Sequence, residues 1–138
     1  NWLLYAFLSA VFAALTAILA KIGIKDINSN LATAIRTVVV LIFAWSIVFF
    51  QKTQSEISNI SKYSLTFLIL SGLATGISWL FYFRALQIGQ VSKVVPIDKL
   101  SLVLTVVLSA IFLAESPSLL VILGSVVMSI GAIMIALG

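Results

Sequence analysis

The sequence predicts an all-α integral membrane protein, a five-transmembrane-helix bundle, and two observations carry that prediction. First, 62% of the 138 residues are apolar and 9% are charged, far from the roughly half apolar and quarter charged make-up of water-soluble domains. Second, the apolar residues fall into five stretches, approximately 2–20, 31–50, 65–87, 94–114 and 119–138. A helix rises about 1.5 Å per residue, so each stretch can cross a hydrocarbon core of roughly 30 Å. Backbone in lipid must satisfy its own hydrogen bonds, which makes helices the default and confines irregular structure to the joints.

Each element has its own justification. The first stretch is read as a permanent span rather than a secretory signal, because no small-residue cleavage pattern outweighs the continuing helix. The joint 21–30 ends in Asn28-Ser29-Asn30, whose side chains favour turns and N-caps, so the second span should begin there. The longest joint, 51–64, is polar and carries Lys52, Glu56 and Lys62. The joints 88–93 and 115–118 are short enough to force antiparallel hairpins. Pro117 suits a helix start, whereas Pro96 falls inside the first turns of span four. There it is either tolerated or kinks the helix and frees a carbonyl, as at the broken helices of transporters. Gly72 and Gly76 in span three, and Gly124 and Gly131 in span five, mark faces where backbones can approach closely. No linker divides the chain, so residues 1–138 are read as a single domain.

The informative residues are charges inside the spans: Arg36, Arg84, Asp98 and Lys99. Left at the centre of lipid, each costs about 2.5–3.5 kcal/mol on insertion scales. Counting from the helix ends places all four toward one face of the membrane, together with Lys21. Arg84 and Asp98 flank the tight turn near Val91 symmetrically, which predicts an ion pair between them that either pins the hairpin or serves a substrate. Arg36 and Lys99 then remain as cations that either snorkel to headgroups or line a wet pathway. Span three carries Ser71, Thr75, Ser78 and Tyr82 at helical spacing, a hydroxyl stripe that suits a water-lined cavity or ordinary interhelical bonding. Trp79, Phe81 and Phe83 surround it, as an aromatic wall or as lipid-facing rings.

Cysteine and histidine are both absent, which removes thiol nucleophiles, imidazole acid/base chemistry and the usual zinc ligands. With no nucleophile and base pair in sight, the chain is not read as an enzyme, and neither a metal nor a cofactor is expected. The net charge of +4 is scattered over helix ends and forms no basic arm, so nucleic acid is not an expected partner and the lipid bilayer is.

Three stretches resemble the EamA-type family of the drug/metabolite transporter superfamily, in its short, single-domain, five-helix bacterial and archaeal branch. They are Ser29-Asn30-Leu31-Ala32-Thr33-Ala34-Ile35-Arg36-Thr37; Gly72-Leu73-Ala74-Thr75-Gly76 followed by Trp79-Leu80-Phe81-Tyr82-Phe83-Arg84-Ala85-Leu86; and Ser92-Lys93-Val94-Val95-Pro96-Ile97-Asp98-Lys99-Leu100. The family pattern also places an acid after span four, here Leu113-Ala114-Glu115, where many relatives carry glycine at the middle position. The resemblance implies a transporter of a small polar metabolite that works by alternating access. Full-length relatives look like two such repeats fused in opposite orientations, so a lone repeat implies a homodimer, antiparallel by analogy, that completes the cavity. A different class of reading is a non-transporting scaffold or regulatory subunit that binds lipid or a partner membrane protein. It has no need of the hydroxyl stripe or Asp98.

The implied location is the plasma (inner) membrane, multi-pass. Lys21, Lys25 and Lys93 lie on the side of joints one and three, against Lys52 and Lys62 on the other. Adding Arg36, Arg84 and Lys99 favours N-out/C-in by positive-inside counting, with dual topology the alternative. Span one contains no acid, which argues against the proton-coupled mechanism that uses a carboxylate there. The surplus of intramembrane cations points to an anionic or zwitterionic substrate.

Overall fold

The computed structural model describes all residues from Asn1 to Gly138. Its elements are α1 (Trp2–Gly23), α2 (Ser29–Gln51), a 3-10 turn (Gln54–Asn59), α3 (Lys62–Ile88), α4 (Val91–Asp98), α5 (Ser101–Phe112) and α6 (Leu119–Leu137), with no strand. Five segments are long and apolar enough to span a membrane, the fourth running across α4 and α5 from Val91 to Phe112. The fold is therefore the all-helical, five-span architecture that the hydropathy pattern predicts. Several helices run past the apolar stretches: α1 by one turn, through Lys21 to Gly23, and α3 and α4 by starting about a turn early. Intrahelical bonding continues wherever propensity allows, and Lys and Ser do not oppose it at a helix end.

Caps fix the helix ends. Asn28 Oδ1 accepts from the amides of Asn30 (2.9 Å) and Leu31 (3.3 Å), opening α2 where the Asn-Ser-Asn run places it. Ser118 Oγ accepts from the Val121 amide at 3.3 Å and opens α6, directly after Pro117. At the other end of α2, Lys52 adopts the left-handed conformation (φ 60°), with its amide donating to Phe49 and Val48 carbonyls. Ala114, in the turn after α5, is also left-handed, at φ 55°. A β-carbon resists that conformation, which is the physical reason a glycine suits this position.

Span four is not one regular helix. Pro96 has no amide to donate to the Ser92 carbonyl, and three residues later the helix tightens. Leu100, Leu102 and Val103 each bond to the carbonyl three residues back, at 3.0–3.2 Å, the 3-10 pattern that separates α4 from α5.

The chain divides into two compact units. The first comprises residues 1–19 and 88–138. Within it, α4 and α5 both pack on α6, and Ser125 and Ala132 of α6 are buried. The hydroxyls on α6 are consumed by its own backbone: Ser125 donates to Val121 O (2.8 Å) and Ser129 to Ser125 O (2.7 Å). An almost wholly apolar groove of about 560 Å³ lies between α5 and α6, lined by Val106, Ala110, Val126 and Ile130 among others. Lys93 Nζ donates to the Gly138 carbonyl.

The second unit, residues 20–87, contains the end of α1, α2 and α3. Its buried side chains are Ala20, Ile24, Ser29, Thr33, Phe83 and Leu86, all near one end of the unit. Most other apolar residues of the spans are exposed, as expected for helices whose solvent is lipid rather than water.

Candidate functional site

The polar and buried groups of the second unit converge where α1 ends, α2 begins and α3 ends. On α2, Ser29, Thr33 and Arg36 follow one another at intervals of four and three, so they share a face. Both small residues are buried, and Thr33 donates to Ser29 O at 2.9 Å. On α3, Trp79, Phe83 and Leu86 follow the same spacing. Phe83 is 1% exposed and Leu86 fully buried. A polar stripe on α2 thus meets an aromatic and apolar stripe on α3.

Arg36 is the centre of that contact. It is the eighth residue of α2, about 10 Å from the helix start at 1.5 Å per residue. Its guanidinium carbon lies 4.1 Å from the ring centroid of Phe83 and 5.6 Å from that of Trp79. Both distances fall within cation–π range. Phe83 in turn meets Tyr82 and Trp79 edge-on, with centroids 5.2 and 6.4 Å away. The rings hold the cation without using its N–H groups. Nη1 is buried and has no hydrogen-bond partner.

A second cluster sits at the same end. Gln87 Nε2 donates to the Ile24 carbonyl (2.9 Å) and the Ile27 carbonyl (2.6 Å). Its Oε1 accepts from Arg84 at 2.7 Å. Lys21 Nζ donates to the Leu86 carbonyl at 2.5 Å. These bonds tie the end of α1 and the first joint to the last turn of α3, where the carbonyls of helix ends lack intrahelical partners. Within this unit Arg84 donates to the neutral amide oxygen of Gln87. Alongside lies a cleft of about 590 Å³, lined by Asn28, Ser29, Asn30, Phe81, Arg84 and Gln87 among others.

The sequence-predicted site residues distribute as follows. Arg36, Trp79 and Tyr82 come together through Phe83, and Arg84 borders the cleft. Ser71, Thr75 and Ser78 are exposed on α3, and the Thr75 hydroxyl is satisfied by the Ser71 carbonyl at 2.9 Å. Asp98 closes α4 and Lys99 follows as its C-cap, both exposed, in the other unit. A β-carbon at Gly72, Gly76, Gly124 or Gly131 would meet nothing within 4 Å. Sequence reasoning did not single out Ser29, Thr33 or Gln87. The first two were legible as the residues four and three positions before each other and Arg36. Gln87 was legible as the polar residue one turn beyond Arg84.

A multi-pass chain with a cation held against aromatic rings inside a span is the class of protein these observations define. The EamA-like transporter family matches residues 1–137, and the chain belongs to that family. It is 46% identical over 136 residues to a Sinorhizobium protein described as an uncharacterized transporter in the cobO 3′ region. The match covers 99% of this chain and 96% of that relative, so the two are of similar length. No solved structure matches the chain. It is a multi-pass membrane protein of a transporter family.

Proposed function

We propose that the protein carries a small polar metabolite across the plasma membrane by alternating access, as one five-span domain whose cavity is completed by a second copy of the chain. The observation that carries the reading is Arg36, a cation within a span held by ring faces, with a buried nitrogen that no protein group satisfies. Holding a charge at membrane depth costs free energy. A headgroup-seeking arginine would spend its donors on lipid and would not need a buried Phe83 beneath it.

The second copy is supported by the faces that the chain leaves open. Gly72 and Gly76, Gly124 and Gly131 have room for close helix approach, and the α5–α6 groove is apolar. An antiparallel pairing is supported by the inverted repeats of larger transporters, and an N-out/C-in major form by the distribution of lysine and arginine. Ser71, Thr75, Ser78 and Tyr82 line the pathway in this reading, while Asp98 and Lys99 border it and Pro96 loosens the span that carries them. The interruption of span four at Lys99–Leu100 fits the broken helices that transporters place at their cavities.

Uptake into proteoliposomes across a panel of radiolabelled amino acids, organic acids and sugars tests the reading. Saturable accumulation of at least one compound, weakened by Arg36→Gln, is expected. A folded, dimeric protein that moves none of them would favour the scaffold alternative instead.

A further inference from the structure

We infer that Arg36 is the receptor for one oxyanion, a carboxylate or a phosphate oxygen, and that Phe83 and Trp79 are positioning residues that set the plane in which it binds. The inference rests on the transport reading only for where the oxyanion comes from. Three observations combine. The guanidinium carbon lies 4.1 Å from the Phe83 centroid and 5.6 Å from that of Trp79, and these two rings of one helix are 6.4 Å apart, so they flank the cation from one side. It makes no hydrogen bond within the chain, and Nη1 is shielded and unpartnered. And the neighbouring cations are already engaged, Lys21 with the Leu86 carbonyl and Arg84 with Gln87.

A planar guanidinium carries five N–H donors around its edge in a fixed fork. Rings on one side of the group engage its charge and use none of those donors. The group matching an edge of parallel donors is a planar pair of oxygens bearing negative charge, bound bidentately. A neutral hydroxyl or amide returns a single acceptor and no charge, and a cation is repelled. The two rings also limit how the fork can turn, which distinguishes this site from a lysine at the same depth. Lysine would supply charge but neither plane nor fork.

Two sources could present such an oxyanion, the carried molecule or a lipid headgroup, and one assay separates them. Trp79 is one of three tryptophans, so Trp2→Phe and Trp45→Phe leave it as the sole tryptophan, beside Arg36 and excited apart from the tyrosines. The full-length protein is placed in phosphatidylcholine nanodiscs and titrated with succinate and glutamate, with succinamide as the neutral control. In a second arm, phosphatidylglycerol replaces part of the phosphatidylcholine and no acid is added.

A saturable change in Trp79 emission with the acids, absent with succinamide, supports the site and makes the carried molecule the source. A change with phosphatidylglycerol alone supports the site and makes lipid the source. In either arm Arg36→Gln is expected to abolish the response, and Arg36→Lys to weaken binding about tenfold although the charge is kept. Phe83→Leu should weaken binding several-fold by freeing the fork. No emission change in either arm, or full response in Arg36→Gln, overturns the inference. Acids that bind and never cross the membrane would refute transport and leave the site standing. A metabolite carried equally by wild type and Arg36→Gln, with no oxyanion response, would do the reverse.

Discussion

Replacing Gln87 by leucine should unfasten one end of the second unit. The side chain makes three hydrogen bonds at once: to Ile24 O at 2.9 Å, to Ile27 O at 2.6 Å, and from Arg84 at 2.7 Å. Leucine keeps much of the volume and removes all three. Polar contacts between membrane helices average about 0.6 kcal/mol and reach about 1.7; the two carbonyls would together contribute about 1–2 kcal/mol. The Arg84 bond is charge-assisted but exposed, which limits it to about 0.5–1 kcal/mol. The expected loss is about 2 kcal/mol, roughly a thirtyfold change in the folded-to-unfolded ratio. The assay is reversible unfolding in mixed micelles of dodecyl maltoside with increasing dodecyl sulfate, followed by circular dichroism. Arg84→Met separates the terms: combined with Gln87→Leu it should add little, because the shared bond is already gone. A loss below about 0.5 kcal/mol for Gln87→Leu, or full additivity with Arg84→Met, would refute the reasoning.

Three further outcomes follow from the same coordinates. Ala114→Gly should stabilise the protein by about 0.5–1 kcal/mol, since the left-handed φ of 55° strains a β-carbon and glycine accepts it; unfolding in the same micelles checks the sign. Asn28→Ala removes the acceptor for the Asn30 and Leu31 amides and should cost about 1 kcal/mol; a change within error would mean that water or headgroups replace the cap. Thr75→Cys and Ser78→Cys should react with a membrane-impermeant maleimide in intact proteoliposomes if α3 borders a wet pathway, and Leu73→Cys, at an exposed apolar position off that stripe, should not. Equal protection of all three would place the hydroxyl stripe against lipid.

The spans were legible because lipid imposes a single requirement, about twenty apolar residues, and composition satisfies it five times. Caps were legible where the chemistry is local: Asn28 opens α2 because its side chain reaches amides two and three residues on. The interruption of span four was half legible. Pro96 announces a missing donor, but the tightening at Lys99–Leu100 depends on backbone torsions that no residue type there dictates. The candidate site was legible as to its charge and not as to its partners. Arg36, Trp79 and Arg84 stand out from their neighbours as charged or aromatic groups within apolar runs. That Arg36 lies on Phe83 depends on how α2 and α3 rotate about their axes, a long-range property. Arg84 shows the limit most clearly. Its bond to Gln87, one helical turn ahead, is local in sequence, yet residue types alone do not say which neighbour a long side chain reaches.

The most direct test of the central claim is counterflow in proteoliposomes loaded with unlabelled succinate or glutamate and diluted into a trace of the labelled compound. A carrier that alternates access around Arg36 should concentrate label transiently inside for at least one of the two acids, and Arg36→Gln should reduce the overshoot at least tenfold while remaining folded. Label that never exceeds the level in protein-free vesicles, for either acid, or an overshoot untouched by Arg36→Gln, would contradict the account.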